Sequence, residues 1–166
     1  MSALFVRLDA EIGKIHEELA NVRRAAAQAL AIEREAPALY SEWTHKTSVA
    51  AGLASIYTKI ESVMEDIAQT FDGEIPQGDS YHKKLIDQMA LPMPANRPAL
   101  LSAAAKELVS RLRSFRHVAK ANYSVELNLT LVLDNLAAGV NAVDAFVSDY
   151  QQFRAYMLAP ADDAGA

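Results

Sequence analysis

Apolar residues along the first part of the chain fall at Leu8, Ile12, Ile15, Leu19, Val22, Ala26 and Ala29, in alternating steps of four and three. That spacing is the a/d seam of a heptad repeat, and it predicts one long helix from residue 2 to about residue 35. A seam of that length needs a long antiparallel partner. The run breaks at Glu35-Ala36-Pro37, and Pro37 suits the first turn of a second helix running to about Phe71. Its stripe is Leu53, Ile56, Ile60, Val63, Ile67 and Phe71. Two long helices joined by a short break make an αα-hairpin. Asp72-Gly73 closes the second helix as a C-cap, and residues 74–80 are a turn-rich connector. Asp79 or Ser80 is placed to cap a short third helix, 81 to about 90, with Leu85, Ile86 and Met89 on its apolar side. Residues 91–98 carry Pro92, Pro94 and Pro98, so this stretch is a rigid strap until Pro98, which suits N1 of a fourth helix. Leu101, Ala105, Leu108, Leu112, Phe115 and Ala119 mark that helix's buried stripe. After a break at 124–128 a fifth helix is predicted to Leu158, its face Leu129, Leu133, Leu136, Val140, Val143, Val147 and Tyr150. The expected architecture is all-α, an up-and-down bundle of about five helices. Residues 1–158 are expected to form one domain and 159–166 a disordered, acidic tail.

Composition agrees with packed helices: 51% of the 166 residues are apolar and only 7% aromatic. There is no cysteine, which excludes disulfides, a thiol nucleophile and thiolate metal sites, and fits a reducing cytosol. No unbroken apolar run approaches the roughly 20 residues of a membrane span, and the N-terminus has no signal-peptide core. A cytoplasmic protein without a membrane role is expected. His45, near Trp43, has no second ligand at helical spacing and is expected to be structural or on the surface; no metal site and no cofactor are expected. The acids are expected on exposed helix faces.

Charge changes the picture at the fourth helix. The chain carries a net charge of −5, yet residues 106–120 hold five Lys/Arg (Lys106, Arg111, Arg113, Arg116, Lys120) against one acid, Glu107. A cationic helix on an acidic protein points to an anionic partner, although a solvated face with arginine stems over apolar surface has the same composition.

Several short segments, in order, carry a resemblance: Tyr57-x-x-Ile60-Glu61, Ile67-Ala68, Phe71-Asp72-Gly73, Pro76-x-Gly78-Asp79-Ser80-Tyr81-His82, Leu85-x-x-Gln88-Met89, Arg97-Pro98, and Leu112-Arg113-x-Phe115-Arg116-His117-Val118. Together they resemble the HepT-like members of the HEPN superfamily, helical toxin ribonucleases paired with a nucleotidyltransferase antitoxin of the MNT type. The resemblance implies a homodimer, or a hetero-oligomer with the antitoxin, whose facing helices form a composite RNA cleft. It also implies a working motif Arg-x4-His-x-Tyr with a polar residue after the arginine. On this chain the arginine is Arg116, the polar residue His117 and the tyrosine Tyr123, while the position of the family histidine holds Ala121.

Cleavage of RNA by its own 2′-hydroxyl needs a group that exchanges a proton near neutral pH and a cation on the phosphorane oxygens. Arg116 suits the second task through a bidentate fork. Position 121 stands about 140° round the helix from Arg116, so the two flank a groove. Arg116, Lys120 and Tyr123 share one side of it; His117 and position 121 share the next. Arg113, Lys120 and Arg111 are the further candidates for binding phosphate. An alanine at 121 has no proton to exchange, so the chain is expected to be catalytically crippled, whether as a natural pseudo-enzyme or through substitution of a histidine. In a rival register, Arg111-x5-His117, His117 is itself the acid/base. By the same resemblance Tyr123 is a candidate for AMP transfer by the antitoxin, which would place a bulky anion at the cleft rim. The reading from another class is a non-catalytic helical partner of a nucleotidyltransferase.

Overall fold

The computed structural model describes residues 2–121 and 127–159. The described residues form five α-helices: α1 (Ser2–Glu35), α2 (Glu42–Ile67), α3 (Tyr81–Met89), α4 (Ala103–Ala121) and α5 (Leu129–Leu158). There is no β-strand among the described residues; Met93 and Arg97 form a single isolated bridge.

α1 and α2 form the predicted hairpin. Leu8, Ile12, Ile15, Leu19, Val22 and Ala26 are buried along the heptad seam, against Val49, Leu53, Ile56, Ile60, Val63 and Ile67 of α2 in the common core. Each of these Leu, Ile and Val side chains contributes about 1.5–3 kcal/mol by leaving water. α2 is the central helix, packed on α1, α4 and α5. Two glycines permit the close approach. A Cβ on Gly52 would stand 2.1 Å from Val22 Cγ2, and one on Gly139 would stand 2.7 Å from Leu53 Cδ2.

α2 begins five residues later than Pro37 suggested. Pro37–Leu39 forms its own 3-10 turn, and Ser41 then caps α2, its Oγ accepting from the Thr44 amide at 3.2 Å. At the other end the helix widens into a π-turn, Ala68–Asp72, stopped by Gly73 at φ 77°. Ser80 stands at the start of α3, as expected, but its side chain makes no capping bond. α4 likewise starts later than Pro98. The amides of Leu100 and Leu101 both donate to the Met89 carbonyl, so this segment is tied to the end of α3. Ser102 is the residue that starts the helix, its Oγ accepting from the Ala105 amide at 3.2 Å and its own amide donating to Asp149 of α5 at 2.7 Å.

The expected faces need two corrections. On α4, Val109 is fully buried whereas Leu108 is only half-buried. On the first half of α5 the buried residues are Val132, Asn135 and Gly139, while Leu129, Leu133, Leu136 and Val140 are half-buried. The heptad stripe there lies about 100° round the helix from the core-facing side. By length and mean hydropathy α5 is long and apolar enough to cross a membrane, although Asp134, Asn135, Asn141 and Asp144 interrupt its apolar run. Its second half is packed inside the bundle through Val143, Phe146, Val147, Tyr150 and Phe153.

Acids are not confined to exposed faces. Asp72 and Arg97 form an ion pair with both side chains fully shielded from solvent. Arg97 Nη2 and Nε donate to the two carboxylate oxygens at 2.6 and 2.7 Å, and its other N–H groups donate to the carbonyls of Leu91, Pro98 and Gln88. The pair fastens the proline strap to the end of α2. His45 is structural: it is buried, with Nδ1 3.2 Å from the Tyr40 hydroxyl.

Candidate functional site

The basic residues of α4 divide into two groups. Arg111, His117 and Lys120 are exposed on the outer side of the helix. Arg113 and Arg116 are half-buried and lean towards α2. The Arg116 guanidinium carbon lies 5.3 Å from the centroid of the Tyr57 ring, a cation–π distance that stabilises by about 2 kcal/mol where water is excluded. The Nε atoms of Arg113 and Arg116 are shut off from solvent and find no hydrogen-bond partner among the described residues.

Tyr57 is the floor of this site. It is fully buried, and one helical turn further along α2 stands Glu61, itself only 6% exposed. A carboxylate so placed needs a partner, because an unpaired buried charge is costly. The partner is His82 in the first turn of α3, whose Nδ1 meets Glu61 Oε1. The His82 and Tyr57 rings form a T-shaped pair, centroids 6.3 Å apart, and the His82 side chain is 40% exposed. Beside it the Tyr81 hydroxyl donates to Glu65.

The electrostatics follow from this crowding. Burial, and then the negative charge of Glu61, push the Tyr57 phenol far above its ordinary range, while Arg113 and Arg116 pull the other way. Tyr57 therefore stays a neutral O–H. That hydroxyl lies close to Glu61 without completing a hydrogen bond of proper geometry. The Glu65 carboxyl is raised by burial and by the neighbouring charges of Glu61 and Asp66, with His82 opposing.

α2, α3 and α4 thus bring together Tyr57, Glu61, His82, Arg113 and Arg116. Chemically the set offers guanidinium N–H groups for an anion and an imidazole, oriented by a carboxylate, for a proton. Of the residues singled out in the sequence, Arg113 and Arg116 belong to this cluster. His117, Lys120 and Arg111 lie outside it on solvent-facing surface, so both members of the rival register, Arg111 and His117, are exposed. Ala121 is the last residue of α4, and Tyr123 lies outside the described residues. In the sequence Glu61 and His82 stand in two separate segments that carry the family resemblance. The usable signal was Tyr57 and Glu61 at i, i+4 on the flank of a buried stripe, a place where an acid requires a counter-group.

No three imidazole or carboxylate groups among the described residues converge as metal ligands. A separate open cleft of about 400 Å³, between the starts of α2 and α5, is lined by Glu42, Lys46, Leu127, Asn128, Leu129 and Thr130 and holds none of the candidate residues.

Comparison with curated proteins and with solved structures gives no match. A family model described as HepT-like protein matches residues 48–157. That stretch runs from the first turns of α2 nearly to the end of α5 and contains every residue of the cluster. With most of its length matched and its helices in this arrangement, the chain belongs to the HepT-like family of the HEPN superfamily.

Proposed function

We propose that this protein is the toxin of a type II toxin–antitoxin pair, an endoribonuclease that needs no metal, acts in the cytoplasm as a homodimer and is silenced by an MNT-type nucleotidyltransferase. The observation that carries the reading is the arginine pair on α4. Arg116 is held over Tyr57, and the buried Nε groups of Arg113 and Arg116 have no hydrogen-bond partner among the described residues. A phosphate is the ligand that such forks bind best. In the reaction the RNA 2′-oxygen attacks the adjacent phosphorus, Arg116 stabilises the charge on the phosphorane, and the group at position 121 moves the proton. Lys120 and Arg111, both exposed on α4, extend the electrostatic track for the strand. Tyr123, by the family motif, is the candidate on which transfer of AMP would block RNA.

With alanine at 121, the chain lacks the acid/base contribution of the family histidine, about 10²–10⁴-fold in rate. The test is Ala121→His, compared with the chain as it stands and with Arg116→Ala in the histidine background. RNA cleavage is measured in EDTA and growth on expression. The histidine variant is expected to cut and to arrest growth, and the Arg116→Ala version to do neither. RNA binding by all three should weaken as salt rises.

The second reading is favoured by Ala121 itself. A helical partner that docks a nucleotidyltransferase without cutting RNA would leave the histidine variant inert and RNA unbound, while antitoxin binding persists.

A further inference from the structure

We infer that Glu61 and His82 form a second proton-transfer station in this chain, with His82 the catalytic residue for cutting an RNA strand held by Arg116 and Arg113. The inference rests on the ribonuclease reading and adds to it a group that the Arg-x4-His-x-Tyr motif does not contain.

The argument starts from orientation. Nδ1 of His82 is occupied by the buried Glu61 carboxylate, so the ring cannot turn freely, and the remaining nitrogen, Nε2, is left for a ligand. A carboxylate on one imidazole nitrogen fixes the tautomer and stabilises the imidazolium that forms when the other nitrogen takes a proton. Glu61 is thus a positioning residue. The Tyr57 ring has the Arg116 guanidinium carbon 5.3 Å and the His82 ring 6.3 Å from its centroid, so the anion-binding and proton-binding groups border the same buried ring. His82 is 40% exposed on its side chain, open to a strand arriving from solvent. Among the described residues, the charged and titratable groups near His82 are Glu61, Glu65 and Tyr57 on α2 and Tyr81 beside it on α3, while the arginine pair of α4 stands by the Tyr57 ring.

The step balances with RNA and water alone. His82 Nε2 takes the proton of the 2′-hydroxyl as the 2′-oxygen bonds to phosphorus. The bond from phosphorus to the 5′-oxygen breaks, and that oxygen leaves with a proton from water. The imidazolium then neutralises the hydroxide. The products are a 2′,3′-cyclic phosphate and a 5′-hydroxyl.

The experiment is single-turnover cleavage of a single-stranded oligoribonucleotide by excess protein in EDTA, from about pH 5 to 9, which spans the ordinary imidazole range. The chain with Ala121 is expected to cut slowly and leave cyclic phosphate ends. His82→Gln should lower that rate about 100-fold. Added imidazole should restore part of it to His82→Ala, which a purely structural role would not allow. Glu61→Gln should displace the acid limb of the pH profile, with the fold checked by circular dichroism. No cleavage by the chain with Ala121, or cleavage undiminished in His82→Gln, overturns the inference. If Ala121→His cuts at the same rate with and without His82, the inference falls and the ribonuclease reading stands. If Ala121→His does not cut at all, the ribonuclease reading falls and takes the inference with it.

Discussion

Tyr57 and Tyr150 are both buried phenols, and one hydrogen bond separates their roles. Tyr150 Oη donates to Asp9 at 2.6 Å, joining α5 to α1, whereas the Tyr57 hydroxyl is buried without a partner. A hydrogen bond to a charged acceptor is worth about 1.5–3 kcal/mol, so Tyr150→Phe should lose that much in denaturant unfolding. Tyr57→Phe removes only an unsatisfied hydroxyl and should be neutral or stabilising by up to about 1 kcal/mol. A loss above 2 kcal/mol in Tyr57→Phe would mean that the hydroxyl serves Glu61 after all. Both phenols are pushed above the ordinary value of about 10 by burial first. Their neutral forms therefore stabilise the fold fully below about pH 10. That contribution is lost progressively as the pH rises further, because the unfolded chain ionises first. Each phenylalanine variant should flatten the alkaline decline, measured as the urea midpoint between pH 9 and about 11.

At the scale of elements, the strap of residues 91–98 is held by its ion pair more than by its prolines. The Arg97–Asp72 fork lies wholly out of solvent, and Gln88 of α3 donates to the same carboxylate at 2.7 Å. The network therefore also sets α3, the helix that carries His82. Arg97→Met should cost about 3–5 kcal/mol by stranding the Asp72 charge. Arg97→Met with Asp72→Leu should recover much of that loss in thermal unfolding, because no charge is then left buried; a double variant as unstable as the single one would refute this account. The five helices and the α1–α2 hairpin were legible in the sequence because heptad spacing reports directly on burial. Helix starts were less so. Pro37 and Pro98 both sit ahead of the residues, Ser41 and Ser102, whose hydroxyls satisfy the first free amides. The arginine pair was visible as local charge. The Glu61–His82 contact was not, because residues 21 apart meet only through the turn of α2 into α3. Nothing in a periodicity separates a buried carboxylate with a partner from a solvated one.

For the whole molecule, the disagreement on α5 has its own meaning. Leu129, Leu133, Leu136 and Val140 keep heptad spacing, yet in one copy of the chain they are only half-buried, while Val132, Asn135 and Gly139 face the core. Two stripes on one helix suit two neighbours: the chain's own bundle for the first and a second copy for the other. The proposed homodimer would supply that second neighbour. Leu136 and Val140 already pack against the chain's own core, so dimerisation would add burial mainly at Leu129 and Leu133. Leu133→Glu sets a charge on the outer stripe without touching the core-facing residues. Sedimentation at micromolar concentration should show the parent as a dimer and the variant as a monomer with unchanged helicity. RNA cleavage by Ala121→His should fall with dimer content when Leu133→Glu is added. A parent that sediments as a monomer, or a Leu133→Glu dimer that still cuts, would mean the stripe serves another surface and that one copy of the Arg116 site is sufficient.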